Sequence, residues 1–86
     1  MLELRLTRRA KHDLNELPVA VREAVLESLV LIELEHEAMG KRLVGRMKGL
    51  WSVRVGNYRV LYTIEQTGVI VRAIRHRAVA YRPRRR

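Results

Sequence analysis

The stretch R-V-G-N-Y-R-V-L-Y, residues 54–62, constrains this chain more than any other part of it. Two alternating runs meet at Gly56-Asn57, a two-residue turn of the primed type that suits the twist of paired strands. The turn sets a register in which Val55 pairs with Tyr58, Arg54 with Arg59, Val53 with Val60 and Trp51 with Tyr62. One face of the hairpin then carries Trp51, Val53, Val55, Tyr58, Val60, Tyr62 and Ile64. The other carries Ser52, Arg54, Arg59, Leu61 and Thr63. Like charges directly across strands are destabilising, and an 86-residue chain has little stability in reserve. The Arg54–Arg59 pair therefore calls for a reason.

A strand over about 69–75 decides where the remaining arginines go. A two-residue turn at Thr67-Gly68 would pair Arg59 with His76 and set Arg75 among apolar residues. A three-residue loop, Gln66-Thr67-Gly68, puts glycine at the left-handed bulge position. It pairs Glu65 with Val69, Val60 with Ile74 and Arg59 with Arg75. A one-residue slip exchanges the two faces, so burial favours the second register, at the cost of placing Arg72 beside Tyr62. Arg54, Arg59 and Arg75 then line up on one face of three adjacent strands, and Arg77 extends the row if the strand continues. A bound polyanion would supply the counter-charge that this row lacks.

Upstream, L-E-L-R-L at 2–6 alternates at period two and predicts a short half-buried strand. Thr7 is placed to N-cap a helix whose face is Ala10, Leu14 and Leu17. Pro18 ends it and opens a second helix over about 18–39. Val21, Val25, Leu29 and Ile32 form one apolar stripe of that helix, and Leu26, Val30 and Leu34 a second. Two stripes predict packing against both the sheet and the first helix, with Glu23, Glu27, Glu33 and Glu37 outward. Gly40 reads as the C-cap. Residues 41–49 form a basic loop, anchored by Leu43 and Met47, with no Walker pattern. The expected architecture is α+β: a small antiparallel sheet, two N-terminal helices packed on one face, and a concave basic face opposite. One domain spans 1–82, and 83–86 form a basic tail.

Charge is distributed unevenly. Residues 1–40 hold 5 Lys/Arg and 8 Asp/Glu, whereas 41–86 hold 13 Lys/Arg and one acid, Glu65, within an overall net charge of +9. Such asymmetry points to nucleic acid or an acidic partner. The absence of cysteine excludes disulfides and thiolate metal sites and fits a reducing compartment. No apolar run reaches the roughly 18 residues a membrane span needs, and no secretory segment is evident at the N-terminus. The expected location is the cytoplasm, with no membrane partner.

The side chains narrow the chemistry. His12, His36 and His76 lack metal-ligand spacing, so no metal or other cofactor is expected. There is no Gly-x-Ser-x-Gly, no cysteine nucleophile, and no carboxylate pair in the basic half. Arginine, lysine, tyrosine and histidine remain, and this set suits a phosphodiester. Arginines stabilise charge developing on phosphate oxygens, and in RNA the 2′-hydroxyl is a built-in nucleophile needing only a base, an acid and orientation. A tyrosine phenol ionises near 10, about three units above neutrality, and neighbouring cations favour its charged form. From composition alone, Tyr81 reads better as a packed aromatic near the C-terminus.

The order strand, two helices, basic loop, then L-W-S-V-R-V-G-N-Y-R-V-L-Y and a closing H-R-A-V-A-Y-R, resembles the RelE/ParE toxin superfamily over nearly the whole chain. The late tyrosine is more like RelE than ParE. The resemblance implies the toxin of a type II toxin–antitoxin pair, a ribosome-dependent endoribonuclease that cuts mRNA in the ribosomal A site by 2′-hydroxyl attack. It also implies an acidic antitoxin partner, and indirect contact with operator DNA through the toxin–antitoxin complex. By the same resemblance Arg59 matches the arginine that stabilises the transition state. Arg75 matches one that assists leaving-group protonation, and Tyr81 the general base. Arg54 matches one of two lysines, and Ser52 stands where the other would be. His76 and Lys48 are candidates to compensate, and Arg77 is also typical. The alternatives are a ParE-type inhibitor of DNA gyrase without nuclease activity, and a non-catalytic basic module binding RNA or DNA.

Overall fold

The computed structural model describes residues 3–45 and 49–80. The elements are β1 (Glu3–Leu6), α1 (Arg8–Asn15), α2 (Val19–Met39), β2 (Lys41–Arg42), β3 (Trp51–Val55), β4 (Tyr58–Ile64), β5 (Gly68–His76) and a short α3 (Arg77–Ala80). Lys48, Met47, Tyr81 and the 83–86 tail lie outside the described residues.

The strands form one sheet in the order β1-β5-β4-β3-β2. The β3–β4 register is the one the Gly56-Asn57 turn predicts, from Val55↔Tyr58 to Trp51↔Tyr62. Gly56 has φ +60°, the left-handed backbone that glycine adopts without strain. The α+β arrangement is as expected, with one addition to an otherwise antiparallel sheet. β1 runs parallel to β5, from Glu3↔Gly68 to Leu6↔Val71. Two helices separate β1 from the other strands, so no tight hairpin forces it antiparallel.

The β4–β5 pair follows the predicted register at one end and departs from it at the other. Arg59↔Arg75, Val60↔Ile74 and Leu61↔Ala73 match, but Tyr62 pairs with Val71 and Ile64 with Val69. Arg72 is the extra residue of a β-bulge. The hairpin closes between Glu65 and Gly68 through Gln66-Thr67, one residue shorter than the predicted loop. The bulge removes the cost that an unbroken ladder would carry. Val71, not Arg72, faces the core beside Tyr62, and Arg72 is exposed. Its side chain bonds Thr63 Oγ1 at 3.1 Å and Glu65 Oε2 at 3.3 Å.

The core lies between this sheet and the helices. Val53, Val60, Tyr62, Val69, Val71 and Ile74 pack against Ala10, Leu17, Val25, Leu29 and Ile32. Thr7 caps α1 by accepting from the Ala10 amide, and its hydroxyl donates to the Arg72 carbonyl at 3.1 Å, tying the helix start to the bulge. Only the first apolar stripe of α2 is buried. Leu26, Val30 and Leu34 are 44%, 55% and 65% exposed, so the predicted packing of both stripes does not occur. α1 packs chiefly on β5 and leaves them uncovered.

Gly40 is the C-cap of α2, as expected, but its backbone is extended at φ −97° and not left-handed. Its lack of a side chain serves a different purpose: a Cβ there would collide with the Tyr62 hydroxyl. That hydroxyl donates to the His36 carbonyl at 2.5 Å, and α2 kinks one residue earlier, where Glu35 has φ −138° and ψ 52°. A side chain bonded to a helical carbonyl is a recognised cause of such breaks. Burial pushes the Tyr62 phenol up to about 12. The unfolded chain then ionises first, so the stability Tyr62 contributes is complete below about pH 10 and declines as pH rises toward 12. Alkaline titration of urea stability should show this decline, and Tyr62→Phe should flatten it while costing about 1 kcal/mol at neutral pH for the lost hydrogen bond.

Asp13 closes the sheet edge beyond the end of β1. Its Oδ2 accepts from the Ile74 amide at 3.0 Å, and its Oδ1 from Arg9 Nε at 3.1 Å. Asp13→Ala should lower stability by about 2 kcal/mol, because a charge-assisted bond is lost and a part-buried N–H loses its acceptor. Urea unfolding measures this directly.

Candidate nucleic-acid interface

The face opposite the helices holds the basic row. Arg54, Arg59 and Arg75 are direct cross-strand neighbours on β3, β4 and β5. The next row on that face is Ser52, Leu61 and Ala73, all buried and all outside the main core. Arg54 is exposed and its Nε donates to the Gly56 carbonyl at 3.4 Å, while Arg59 and Arg75 are half-buried. The Arg75 Nε is buried with no hydrogen-bond partner among the described residues. A buried cationic N–H without an acceptor is costly, and an anion arriving at this face would remove the cost. Glu65, the single acid of the basic half, is engaged by Arg72 at the far end of the hairpin.

A cleft of about 480 Å³ opens beside the row, lined by Met39, Gly40, Lys41, Leu43, Ser52, Val53, Arg54 and Arg59. Its titratable lining is entirely cationic. β2 forms one wall: Lys41 pairs with Ser52 and Arg42 with Trp51. Sequence reading placed 41–49 in a loop and did not single out Lys41. A two-residue strand leaves no periodic signal in the sequence, and it shows itself only through its pairing with β3.

The structure separates the other predicted residues. His76 pairs with Tyr58, and the two rings meet edge to face at 5.1 Å. That is the helix side of the sheet, across from Arg59 and Arg75. His76 Nδ1 also accepts from the Ala78 amide at 3.1 Å, holding the start of α3. Arg77 is exposed where β5 passes into α3, and its amide donates to the Asn57 carbonyl at 2.7 Å. β5 ends at His76, so the strand does not carry the row on to Arg77, whose backbone lies at the tip of the β3–β4 hairpin. No helix among the described residues is long and apolar enough to cross a membrane.

Comparison with known proteins agrees with this architecture. A family model, described as the ParE toxin of the type II toxin–antitoxin system parDE, matches residues 4–81. The chain is 39% identical over 83 residues to Toxin RelG of Mycobacterium tuberculosis, covering 92% of this chain and 94% of that one. A chain of the RelBE2 toxin–antitoxin complex from the same species superposes with a TM-score of 0.81 at 33% identity, over 87% of this chain and 96% of that one. The isolated E. coli RelE toxin shares the fold, with a TM-score of 0.75 at 23% identity, over 88% and 84% of the two chains. The match along almost the full length, by sequence and by fold, shows that the chain belongs to the RelE/ParE superfamily of toxins of type II toxin–antitoxin systems.

Proposed function

We propose that this toxin is a RelE-type, ribosome-dependent endoribonuclease that cuts mRNA in the ribosomal A site without a metal. The observation that carries the reading is the row Arg54–Arg59–Arg75, presented on three adjacent strands beside a cleft lined by cations. An inhibitor acting only by surface contact has no need to hold three guanidinium groups in register. A phosphodiester does, because charge accumulates on its non-bridging oxygens during displacement.

In this mechanism the substrate's 2′-hydroxyl attacks the adjacent phosphorus as the bond from phosphorus to the 5′-oxygen breaks. The products are a 2′,3′-cyclic phosphate and a 5′-hydroxyl. Arg54 and Arg59 hold the non-bridging oxygens, with Arg59 central to the row and suited to the developing charge. Arg75, on the neighbouring strand, assists protonation of the leaving oxygen. Tyr81 takes the 2′-hydroxyl proton. The position of His76, on the other face with Nδ1 engaged by the Ala78 amide, supports Tyr81 over His76 as the base. Arg77 and Lys48 extend the contact to flanking RNA.

The partner that restrains this activity is an acidic antitoxin, and several solved relatives are toxin–antitoxin complexes. The exposed stripe Leu26, Val30 and Leu34 on α2 offers apolar anchors for it, and a complex that leaves this helix uncovered would count against that placement. The complex, rather than the toxin alone, would contact operator DNA. The setting for all of this is the cytoplasm.

A second reading is a ParE-type inhibitor of DNA gyrase, favoured by the family model that matches residues 4–81. Two assays on the same preparation decide between them. The ribonuclease reading expects mRNA cleavage in a translating extract, lost in Tyr81→Phe, and no effect on gyrase supercoiling. Inhibition of supercoiling that survives Tyr81→Phe, without mRNA cleavage, would establish the gyrase inhibitor.

A further inference from the structure

Lys41 and Arg42 are consecutive cations on a two-residue strand, and the sheet sends them to opposite faces. Arg42 pairs with Trp51, and its guanidinium lies over the indole ring at 5.9 Å. Trp51 packs against the core on the helix side, so Arg42 is held to that side. Lys41 pairs with Ser52, on the same face as Arg54 and Arg59, and lines the cleft with them.

The placement is built rather than loose. β2 is fixed to β3 by two cross-strand pairs, and the Leu43 amide continues the pairing by donating to the Leu50 carbonyl at 2.9 Å. Lys41 stands two residues along and one strand out from Arg54. Ideal sheet spacings, about 4.8 Å between strands and about 6.8 Å for two residues along one, put their Cα atoms about 8 Å apart. Side chains that rise side by side from the sheet carry that separation to their charged ends, a spacing that suits neighbouring phosphates on one strand of nucleic acid.

We propose that Lys41 is a positioning residue of the RNA site: it binds the phosphate next to the one held by Arg54 and Arg59, and so orients the RNA strand across the sheet. The proposal rests on the ribonuclease reading above for the identity of the polyanion. The adjacent cation, Arg42, supplies an internal control, because its removal changes net charge equally from the other face.

The test is binding of a fully 2′-O-methylated RNA oligonucleotide, which cannot be cut, by fluorescence anisotropy over a salt series. For Lys41→Ala the slope of log affinity against log salt should become shallower by about 0.7, the value for one lost phosphate contact on a single strand. Affinity at low salt should fall several-fold. Lys41→Arg should keep the wild-type slope, and Arg42→Ala should leave it unchanged. An unchanged slope in Lys41→Ala, or an equal loss in Arg42→Ala, would overturn the proposal. The translating extract keeps the two ideas separate. If wild type cuts mRNA while Lys41→Ala shows wild-type slope and cleavage, Lys41 has no such role and the ribonuclease reading stands. If wild type does not cut while the slope changes only in Lys41→Ala, the phosphate site stands and the ribonuclease reading fails.

Discussion

Arg59→Ala is expected to lower mRNA cleavage by about a hundred- to a thousand-fold, the usual consequence of removing a group that stabilises transition-state charge, while the domain remains folded. Arg59 is the middle member of its row, between Arg54 on β3 and Arg75 on β5. Its removal relieves two like-charge neighbours, so repulsion in the folded state falls. Catalysis and folding should therefore separate. Circular dichroism and urea unfolding should show a stable domain, and single-turnover cleavage should collapse. Arg59→Lys should recover part of the activity, because lysine keeps the charge but not the planar fork that matches a phosphate. A variant that unfolds would mean that Arg59 is chiefly structural. One that cleaves normally would remove it from the mechanism.

Gly40→Ala should destabilise the domain strongly. The new Cβ would fall on the Tyr62 hydroxyl, and the phenol carbon that bears it is also too close. Tyr62 is fully buried and cannot swing away. Its hydroxyl also holds the His36 carbonyl at the kinked end of α2. Overpacking of this kind costs about 1–3 kcal/mol, which in a domain of this size lowers the melting temperature by roughly 4–8 °C per kcal/mol. Because Gly40 and Lys41 both line the cleft, binding of RNA should weaken as well. Adding Tyr62→Phe removes the nearest colliding atom and should recover part of the stability. A melting temperature equal to wild type in Gly40→Ala would show that α2 and β4 can separate at no cost.

What was legible in the sequence follows from where local rules decide the geometry. The hairpin register from Trp51 to Tyr62 was readable because a two-residue turn and strict alternation leave one solution. The arginine row followed from it as far as Arg75. The bulge at Arg72 was not readable, since periodicity assumes an unbroken ladder; only the misfit of Arg72 beside Tyr62 hinted at it. Gly40 was readable as the C-cap of α2, but the reason a glycine is needed there was not. Its actual neighbour, Tyr62, is 22 residues away in sequence. The exposed stripe of α2 escaped for a similar reason. A sequence shows which positions are apolar, but not that α1 packs on β5 and leaves them uncovered. Lys41 was hidden because two residues are too few to show alternation, and the strand exists only through its pairing with β3.

Cleavage-site mapping on a reporter mRNA tests the central claim most directly. Purified toxin is added to a translating extract and, separately, to the naked transcript, with Arg59→Ala in parallel. The expected result is cuts in the translated sample alone, in frame with codons, ending in a 2′,3′-cyclic phosphate and absent with Arg59→Ala. Intact mRNA in both samples, with folded toxin that blocks gyrase supercoiling, would contradict it.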